Sequence, residues 1–281
     1  MKTICAIAFL AMSSSALAER IEIVVPFGAG GSVDLLARSA EKTLEANGIE
    51  TKVTNIVGTG GLTGFKKFVE ADKDSTLISV GQGVMVYAPK KFPNANLTPL
   101  DHVQIVSPIY RSPEVLAARK GSPITAKFLF DPSSPKATIR IAAGGPGHEH
   151  FVSILQSHTH HKLVPFLTSS SGEAMQSVLN GDADLIADAY SFVVTNQEKL
   201  NLLGVAQAKP QKGTDSISSH LNGKEFFQWI GIAAPKGMTT VKVATVKTLL
   251  AKPNAMDTPW IRGWEAVTVD SATFINQVKT E

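Results

Sequence analysis

Residues 21–44, IEIVVPFGAGGSVDLLARSAEKTL, combine a strand, a glycine loop and a helix in one continuous segment. The β-branched run at residues 21–25 ends at Pro26, which is typical of a short buried strand. After the glycines, apolar residues recur at helical spacing, at Val33, Leu36, Ala37, Ala40 and Leu44. Asn47-Gly48 supplies the stop of that helix. The segment therefore predicts one strand–loop–helix unit of an α/β fold.

The same alternation continues along the chain in two sets. The first set has predicted strands at residues 52–57 and 77–80 and a helix at residues 62–71. The second set has strands at residues 139–143, 163–166, 185–187 and 202–206, and helices at residues 151–158 and 172–180. Alternating strands and helices form parallel sheets with helices on both faces. The sequence therefore predicts two α/β units of similar design.

The segments outside these units suggest how the two are connected. Residues 103–118 hold two apolar runs broken by prolines, and residues 120–123 (KGSP) are predicted as a hinge. A return strand at residues 229–234 and a helix at residues 241–250 would complete the first unit. We thus expect domain 1 at residues 19–120 and 232–281, domain 2 at residues 121–231, and chain crossings near Gly121 and Gly231.

Composition excludes several classes of protein. Of 281 residues, 43% are hydrophobic and 18% charged, so the chain has enough apolar surface for a core and is not disordered. The 27 basic residues barely exceed the 24 acidic ones and form no run, which argues against nucleic acid as a partner. Cys5 is the single cysteine, so neither a disulfide framework nor a thiolate metal cluster is possible.

The first eighteen residues are typical of a secretory signal peptide. Lys2 is followed by an apolar stretch at residues 4–12, which is far shorter than the ~20 residues of a membrane span. Ala16-Leu17-Ala18 offers small residues at both required positions, so we expect cleavage after Ala18. No later segment has the length and apolarity of a membrane span, and we expect a soluble, monomeric protein in the periplasm.

Glycine-rich or serine-rich turns follow five of the predicted strands. Glycines let a backbone approach a ligand closely, and a helix N-terminus behind them favours an anion. The carboxyl ends of strands in open α/β sheets form the edge where ligands bind. The proposed ligand contacts in these turns are Phe27, Gly28, Ala29, Gly30, Gly31, Ser32, Asp34, Gly60, Gly61, Thr63, Gln82, Gly145, Gly147, Ser169 and Ser170. Asp34 could equally cap the helix, and each turn could be structural only.

Nucleotide binding is not supported by these glycines. The pattern that begins at Gly58 resembles a dinucleotide fingerprint, but Thr63 stands where the third glycine is required. The acidic residue expected about twenty positions later is absent, and no P-loop lysine follows any of the turns. We therefore expect no nucleotide, and no other cofactor.

The remaining candidates for chemistry are histidines and one aspartate. Five histidines fall at residues 148–161, without the spacing of a helical zinc motif. They could form the solvated end of a helix, or they could bind a metal. His148 follows Gly147 and could contact a ligand through its ring N–H. Asp188 ends a predicted strand and could face the ligand or cap the next segment. The sequence has no nucleophile motif, so we expect no enzyme activity.

Taken in order, several of these segments resemble one family. They are residues 23–27, residues 29–31, Asp34 with Ala37-Arg38, Asn55 with the glycines at residues 58–64, Arg111-Ser112-Pro113, residues 164–166 with Met175, Leu179 and residues 181–188, and residues 229–231 and 234–237. This chain resembles the periplasmic receptors of tripartite tricarboxylate transporters, also called the Bug family.

The resemblance implies a two-domain, periplasmic-binding-protein-like fold with a ligand cleft between two open sheets. It also implies a receptor without catalysis that binds an organic acid through loop N–H groups, hydroxyls and water, and then docks to a membrane permease. Gly28 departs from the usual proline of the family, Val33 from a hydroxyl residue, and His148 from a small hydroxyl residue. His148 would then favour a further acidic or accepting group on the solute.

Three other functions stay open at this point. The chain could be a receptor that feeds a sensor or partner protein in place of a permease. It could be an extracytoplasmic enzyme on the same fold, or a receptor for a metal.

Overall fold

The computed structural model describes residues 20–210, 214–252, 263–267 and 271–279, so the predicted signal peptide lies outside the described residues. The strands are β1 (Arg20–Val25), β2 (Glu50–Asn55), β3 (Thr76–Gly81), β4 (Val103–Ile105), β5 (Ile109–Arg119), β6 (Thr138–Ala143), β7 (Lys162–Leu167), β8 (Leu185–Ala189), β9 (Leu200–Val205), β10 (Phe227–Pro235) and β11 (Glu265–Val267). The helices are α1 (Ser32–Glu45), α2 (Leu62–Glu70), α3 (Ala88–Lys91), α4 (Pro99–His102), α5 (Ala126–Phe130), α6 (Pro146–Leu155), α7 (Ser171–Asn180), α8 (Tyr190–Thr195), α9 (Thr240–Leu250) and α10 (Ser271–Lys279). No helix in these ranges combines the length and apolarity that crossing a membrane requires.

The first half of the fold is built on a sheet with strand order β2-β1-β3-β10-β5. The pairs β1–β2 and β1–β3 are parallel, whereas β10 runs antiparallel to β3 and β5. Side chains of β1 alternate between the two faces: Ile23 packs with Leu36 of α1, and Val24 packs with Phe65 of α2. Period-two alternation explains why both faces of this sheet are covered by helices, as predicted.

The second half repeats the design with the order β5-β8-β6-β7, in which β6 is parallel to both neighbours. Phe151 of α6 lies in the apolar cluster on one face, and Met175 of α7 lies in the cluster on the other face. β9 pairs antiparallel with β5 on the edge opposite to β8. The predicted second α/β unit is therefore present.

One long strand, β5, belongs to both halves. Tyr110 to Pro113 pair with β10, and Glu114 onward pairs with β8. The chain returns to the first half just before β10. The N–H of Phe226 still donates a hydrogen bond to the carbonyl oxygen of Ala206, which lies in the second half. Pro113, expected to break the apolar run, lies where the strand exchanges one partner for another, a position that tolerates a missing N–H.

The sequence suggested that the chain crosses between the two halves near Gly121 and Gly231, but β5 and β10 show that it crosses elsewhere. Gly121 lies in a turn after β5 with φ of +79°, and Gly231 lies inside β10, paired with Val80. We propose that the domain boundaries fall at residues 113–114 and 226–227.

Candidate functional site

A cavity of about 50 Å³ lies between the two halves, near the carboxyl ends of β1, β3, β6 and β8. Nine of the proposed ligand contacts line it: Phe27, Gly31, Ser32, Asp34, Gln82, Gly145, Gly147, His148 and Ser170. The wall also includes Val33, Gly81, Gly83, Gly144, Ser171, Ala189, Gln228, Trp229, Ile230 and Trp264. Four of the five predicted turns thus meet at one place, because strand ends of both sheets face each other there.

The loop after β1 delivers the start of α1 to this cavity. Gly31 is the N-cap residue, and no side chain caps the helix. The N–H groups of Ser32 and Val33 have no hydrogen-bond partner in the part of the chain that the structure describes. A helix of 14 residues with free first-turn N–H groups carries partial positive charge at that end, which favours an anion.

Asp34 holds this loop in place through hydrogen bonds to three neighbouring residues. Its buried carboxylate accepts hydrogen bonds from the N–H of Gly30 at 2.9 Å, from Arg38 Nε at 2.9 Å and from Asn55 Nδ2 at 2.9 Å. The hydrogen bond to Asp34 is also the main cause that raises the pKa of the Arg38 guanidinium. Gly30 is exposed and outside the lining, and its N–H is taken by Asp34. Asp34 therefore positions the loop and does not cap α1, which was the predicted alternative to ligand contact.

The serine turn before α7 faces the glycine loop from the other half. Ser170 caps α7 by accepting from the N–H of Glu173 at 3.2 Å, and Glu173 accepts from the hydroxyl of Ser169 at 2.6 Å. The hydrogen bonds that Glu173 accepts from the hydroxyl and the N–H of Ser169 hold the pKa of Glu173 below its usual value. The N–H of Gly28 donates to the carbonyl oxygen of Ser169 at 2.8 Å. This bond between Gly28 and Ser169 joins the two halves. Gly28, Ser169 and the exposed Ala29 lie outside the lining.

The third helix N-terminus at the cavity belongs to α6. The sequence predicted this helix from residue 151, but it begins at Pro146, with Gly145 as N-cap and no capping side chain. Proline fits the first helical position because its missing N–H would have no partner in the helix. His148 therefore stands in the first turn of α6, and not in the preceding loop as expected.

His148 is held between two carboxylates. Its Nδ1 lies 2.9 Å from Oε1 of Glu114, and its Nε2 lies 3.7 Å from Oδ1 of Asp188. Gln228 Nε2 donates to the same Glu114 oxygen at 2.6 Å. Burial lowers the pKa of His148, but the two carboxylates outweigh it and raise that pKa to about 9. Burial raises the pKa of Asp188.

This cluster gives His148 partners within the protein in addition to its place in the cavity wall. Its Nδ1 lies within hydrogen-bond distance of Glu114, and its Nε2 lies at ion-pair distance from Asp188. Asp188 is fully buried beneath the lining, and its Oδ1 accepts from the N–H of Ala189 at 2.8 Å. Sequence reasoning missed Glu114 and Gln228, which lie on the crossing strands β5 and β10. The sequence did offer one indication of these two residues, because each is a polar side chain within an otherwise apolar strand.

The loop after β2 does not reach the cavity. Gly60 and Gly61 adopt positive φ in a tight turn, and a Cβ on Gly60 would lie 2.7 Å from Cγ of Pro146. Thr63 is exposed and bonded to Thr59. The turn folds back onto the start of α2 and packs beside α6. The cavity lining therefore does not include Gly60, Gly61 or Thr63.

The histidines beyond α6 support a loop of the second half. His161 is buried, with Nε2 2.8 Å from the carbonyl oxygen of Phe128, and it accepts from the N–H of Ala137 at 3.2 Å. His160 Nε2 lies 2.9 Å from the carbonyl oxygen of Ser134. The expected solvated helix end is thus wrong for His161. Among the described residues, no three His, Cys, Asp or Glu side chains group as metal ligands.

The sequence of this chain matches the model of one protein family, and its structure is similar to solved structures of one fold. The model of the tripartite tricarboxylate transporter family receptor (TctC) matches residues 36–273. The UPF0065 protein of the tcbD-tcbE intergenic region of Pseudomonas sp. strain P51 is 25% identical to this chain over an alignment of 281 residues, which covers 91% of this chain and 83% of that protein.

Two solved structures from Rhodopseudomonas palustris are similar in fold. MatC with bound malate is 22% identical, with a TM-score of 0.77 over 94% of this chain and 96% of its own. A second protein, solved with adipate, is 20% identical, with a TM-score of 0.79 over 94% of each chain. These likenesses confirm the predicted periplasmic-binding-protein-like fold.

Proposed function

This chain belongs to the receptor family of tripartite tricarboxylate transporters, and from that premise we propose that it captures a small organic acid between its two halves. We further propose that it delivers this acid to a tripartite tricarboxylate-type membrane permease. The malate and adipate bound in the two Rhodopseudomonas palustris structures support an acid as the solute class.

The observation that carries this proposal is the convergence of three helix N-termini on one cavity. Those of α1 and α6 carry no capping side chain, whereas Ser170 caps α7. Partial positive charge at helix starts stabilises an anion, and N–H groups match carboxylate oxygens. The N–H groups of Ser32 and Val33 are therefore the proposed carboxylate donors.

The buried charges beside the cavity are compatible with an anion. His148, with its pKa raised to about 9, is positively charged at neutral pH and balances Glu114. Burial favours the neutral form of Asp188. Asp34 is balanced by Arg38. Each of these three buried carboxylates therefore has a cationic side chain as partner inside the protein, which offsets its repulsion of the proposed solute carboxylate.

Binding without catalysis, a periplasmic location and a monomeric state are further parts of the proposal. The signal-like residues 1–18 support export. The engagement of His148 with Glu114 and Asp188 supports a positioning role over a catalytic one. Genes for a large and a small membrane permease subunit beside this one would support delivery to a permease.

A thermal-shift screen tests the acid. Mono-, di- and tricarboxylates and aromatic acids are compared with their amides, and calorimetry follows on the best acid. A solute at 100 times its Kd adds about 2.7 kcal/mol to the free energy of unfolding. That would raise the Tm by roughly 5–10 °C in a chain of this size. Equal shifts with an acid and its amide would contradict carboxylate recognition.

A further inference from the structure

A second, larger cavity adjoins the first one between the same two halves. It encloses about 350 Å³, against about 50 Å³ for the first. Both cavities are lined by Gln82, Gly147, Gln228 and Trp229, so the two share a wall.

Gln228 forms the partition. Its side chain lies against Gly147, where an added Cβ would come 2.5 Å from Gln228 Oε1. The hydrogen bond from Gln228 Nε2 to Glu114 holds it there at 2.6 Å. The Gln228 side chain is therefore held in the wall that the two cavities share.

The volumes show what each space can hold. An engineered protein cavity of about 150 Å³ binds benzene. The first cavity has about a third of that volume, enough for a carboxylate group but not for the body of a larger acid. The second has more than twice that volume. A solute whose carboxylate sits at the start of α1 must therefore extend past Gln228.

Half of the fourteen residues that line the second cavity carry rings, namely Tyr87, His150, Phe151, Phe226, Phe227, Trp229 and Phe274. Tyr87 stacks on His150 with ring centroids 4.3 Å apart. Aromatic walls favour an aromatic guest by about 0.5–1.5 kcal/mol beyond its buried area.

Charged groups in this wall already have partners within the protein. Glu114 faces His148, and Glu225 accepts from the N–H of Ala208 at 2.7 Å. Arg111 pairs with Glu265 at 3.2 Å and lies over the ring of Phe227. The wall therefore suits an uncharged body better than a second carboxylate.

We propose that the solute is an aromatic monocarboxylate, with its carboxylate at the start of α1 and its ring in the second cavity beyond Gln228. This deepens the proposed function and rests on it. Gln228 then acts as a specificity-determining residue, because its position sets how far the body of the solute can extend.

Calorimetry on wild type with acetate, phenylacetate and adipate tests the ring directly. We expect phenylacetate to bind at least tenfold more tightly than acetate, which is about 1.4 kcal/mol, and more tightly than adipate. Phenylacetate binding no more tightly than acetate or adipate would overturn the inference and leave acid recognition standing. If none of these three acids bound, this inference would be overturned, whereas the proposed function would still be decided by the broader screen of acids against their amides.

A filling variant tests the location of the ring. Val267, half-buried on β11, lines the second cavity, and Val267→Trp should occupy it. We expect phenylacetate affinity to fall at least tenfold while acetate affinity changes less than twofold. Val241→Trp adds the same side chain at an exposed site on α9 and should change neither. Equal losses for both acids in Val267→Trp would overturn the inference. Circular dichroism checks folding, and Val267→Phe is the milder filling variant if tryptophan is not tolerated.

Discussion

The backbone N–H of Gly28 donates a hydrogen bond to the carbonyl oxygen of Ser169, with an N···O distance of 2.8 Å. Gly28 follows β1 in the first half, and Ser169 precedes α7 in the second. Lys91 and Glu149 form an ion pair between α3 and α6, which adds a second link across the same interface. The described conformation is therefore one in which the two halves touch over the cavity.

Replacing Gly28 tests this contact. Gly28→Pro removes the N–H, and losing one such bond costs about 0.5–1.5 kcal/mol, which would shift a closed-to-open equilibrium roughly two- to twelvefold. We expect small-angle scattering to show a larger radius of gyration without solute than in wild type. Gly28→Ala is the matched control, because it keeps the N–H while adding a Cβ 3.0 Å from Ser169 Oγ. The same increase in radius of gyration in both variants would mean that the added Cβ opens the molecule, and that the hydrogen bond from Gly28 does not hold it closed.

Gly31 tests the carboxylate position. It lines the cavity as N-cap of α1, and a Cβ there would lie 3.6 Å from the N atom of Ser171, an ordinary contact. We expect Gly31→Val to leave the fold intact and to weaken solute binding at least tenfold, about 1.4 kcal/mol. Ala29→Val changes an exposed residue of the same loop outside the lining and should bind as wild type. Equal calorimetric affinities for Gly31→Val and wild type would place the carboxylate elsewhere.

Asp34 tests the support of the loop. Asp34→Asn replaces a buried carboxylate oxygen that accepts hydrogen bonds by an NH₂ group that donates, and it removes the ion-pair partner of Arg38. We expect a loss of about 2–4 kcal/mol in the free energy of unfolding, measured in urea. Glu70→Gln breaks exposed pairs with Lys66 and Lys67 and should cost less than about 1 kcal/mol. Similar costs for the two variants would contradict the role of Asp34.

The pH dependence of stability tests the buried cluster. The folded pKa of His148 is about 9, raised above its unfolded value near 6.5. A raised pKa contributes stability that is fully present below pH 6.5 and is lost as pH rises through 9. The free-energy difference between wild type and His148→Gln should therefore shrink over that window. A difference that stays flat from pH 6 to 10 would rule out a charged His148.

Processing tests the export signal, which lies outside the described residues. Ala16-Leu17-Ala18 predicts a mature chain that begins at Glu19. Intact-mass measurement of protein secreted by the native pathway should give that start. Retention of Met1 in the secreted form would contradict it.

The fold followed from local patterns, and so did part of the site. The β-branched run before Pro26 and the helical spacing after Gly31 predicted β1 and α1, because strand and helix periods are properties of neighbouring residues. The rule that strand ends share one edge then brought together the turns after β1, β3, β6 and β7. The turn after β2 was the exception, since positive φ at Gly60 and Gly61 folds it back, and local composition does not encode that path.

Tertiary structure alone decided how the charges meet. Glu114 and Gln228 are 114 residues apart in sequence, yet they share a hydrogen bond because β5 and β10 pair in one register at the crossing. The first turn of α6 then places His148 against Glu114 and Asp188. Strand register between distant segments fixes these distances, and burial turns them into a raised pKa. The sequence by itself determined the two α/β units and the anion-favouring loops. Long-range pairing determined which side chains are engaged within the protein and how much space a solute has.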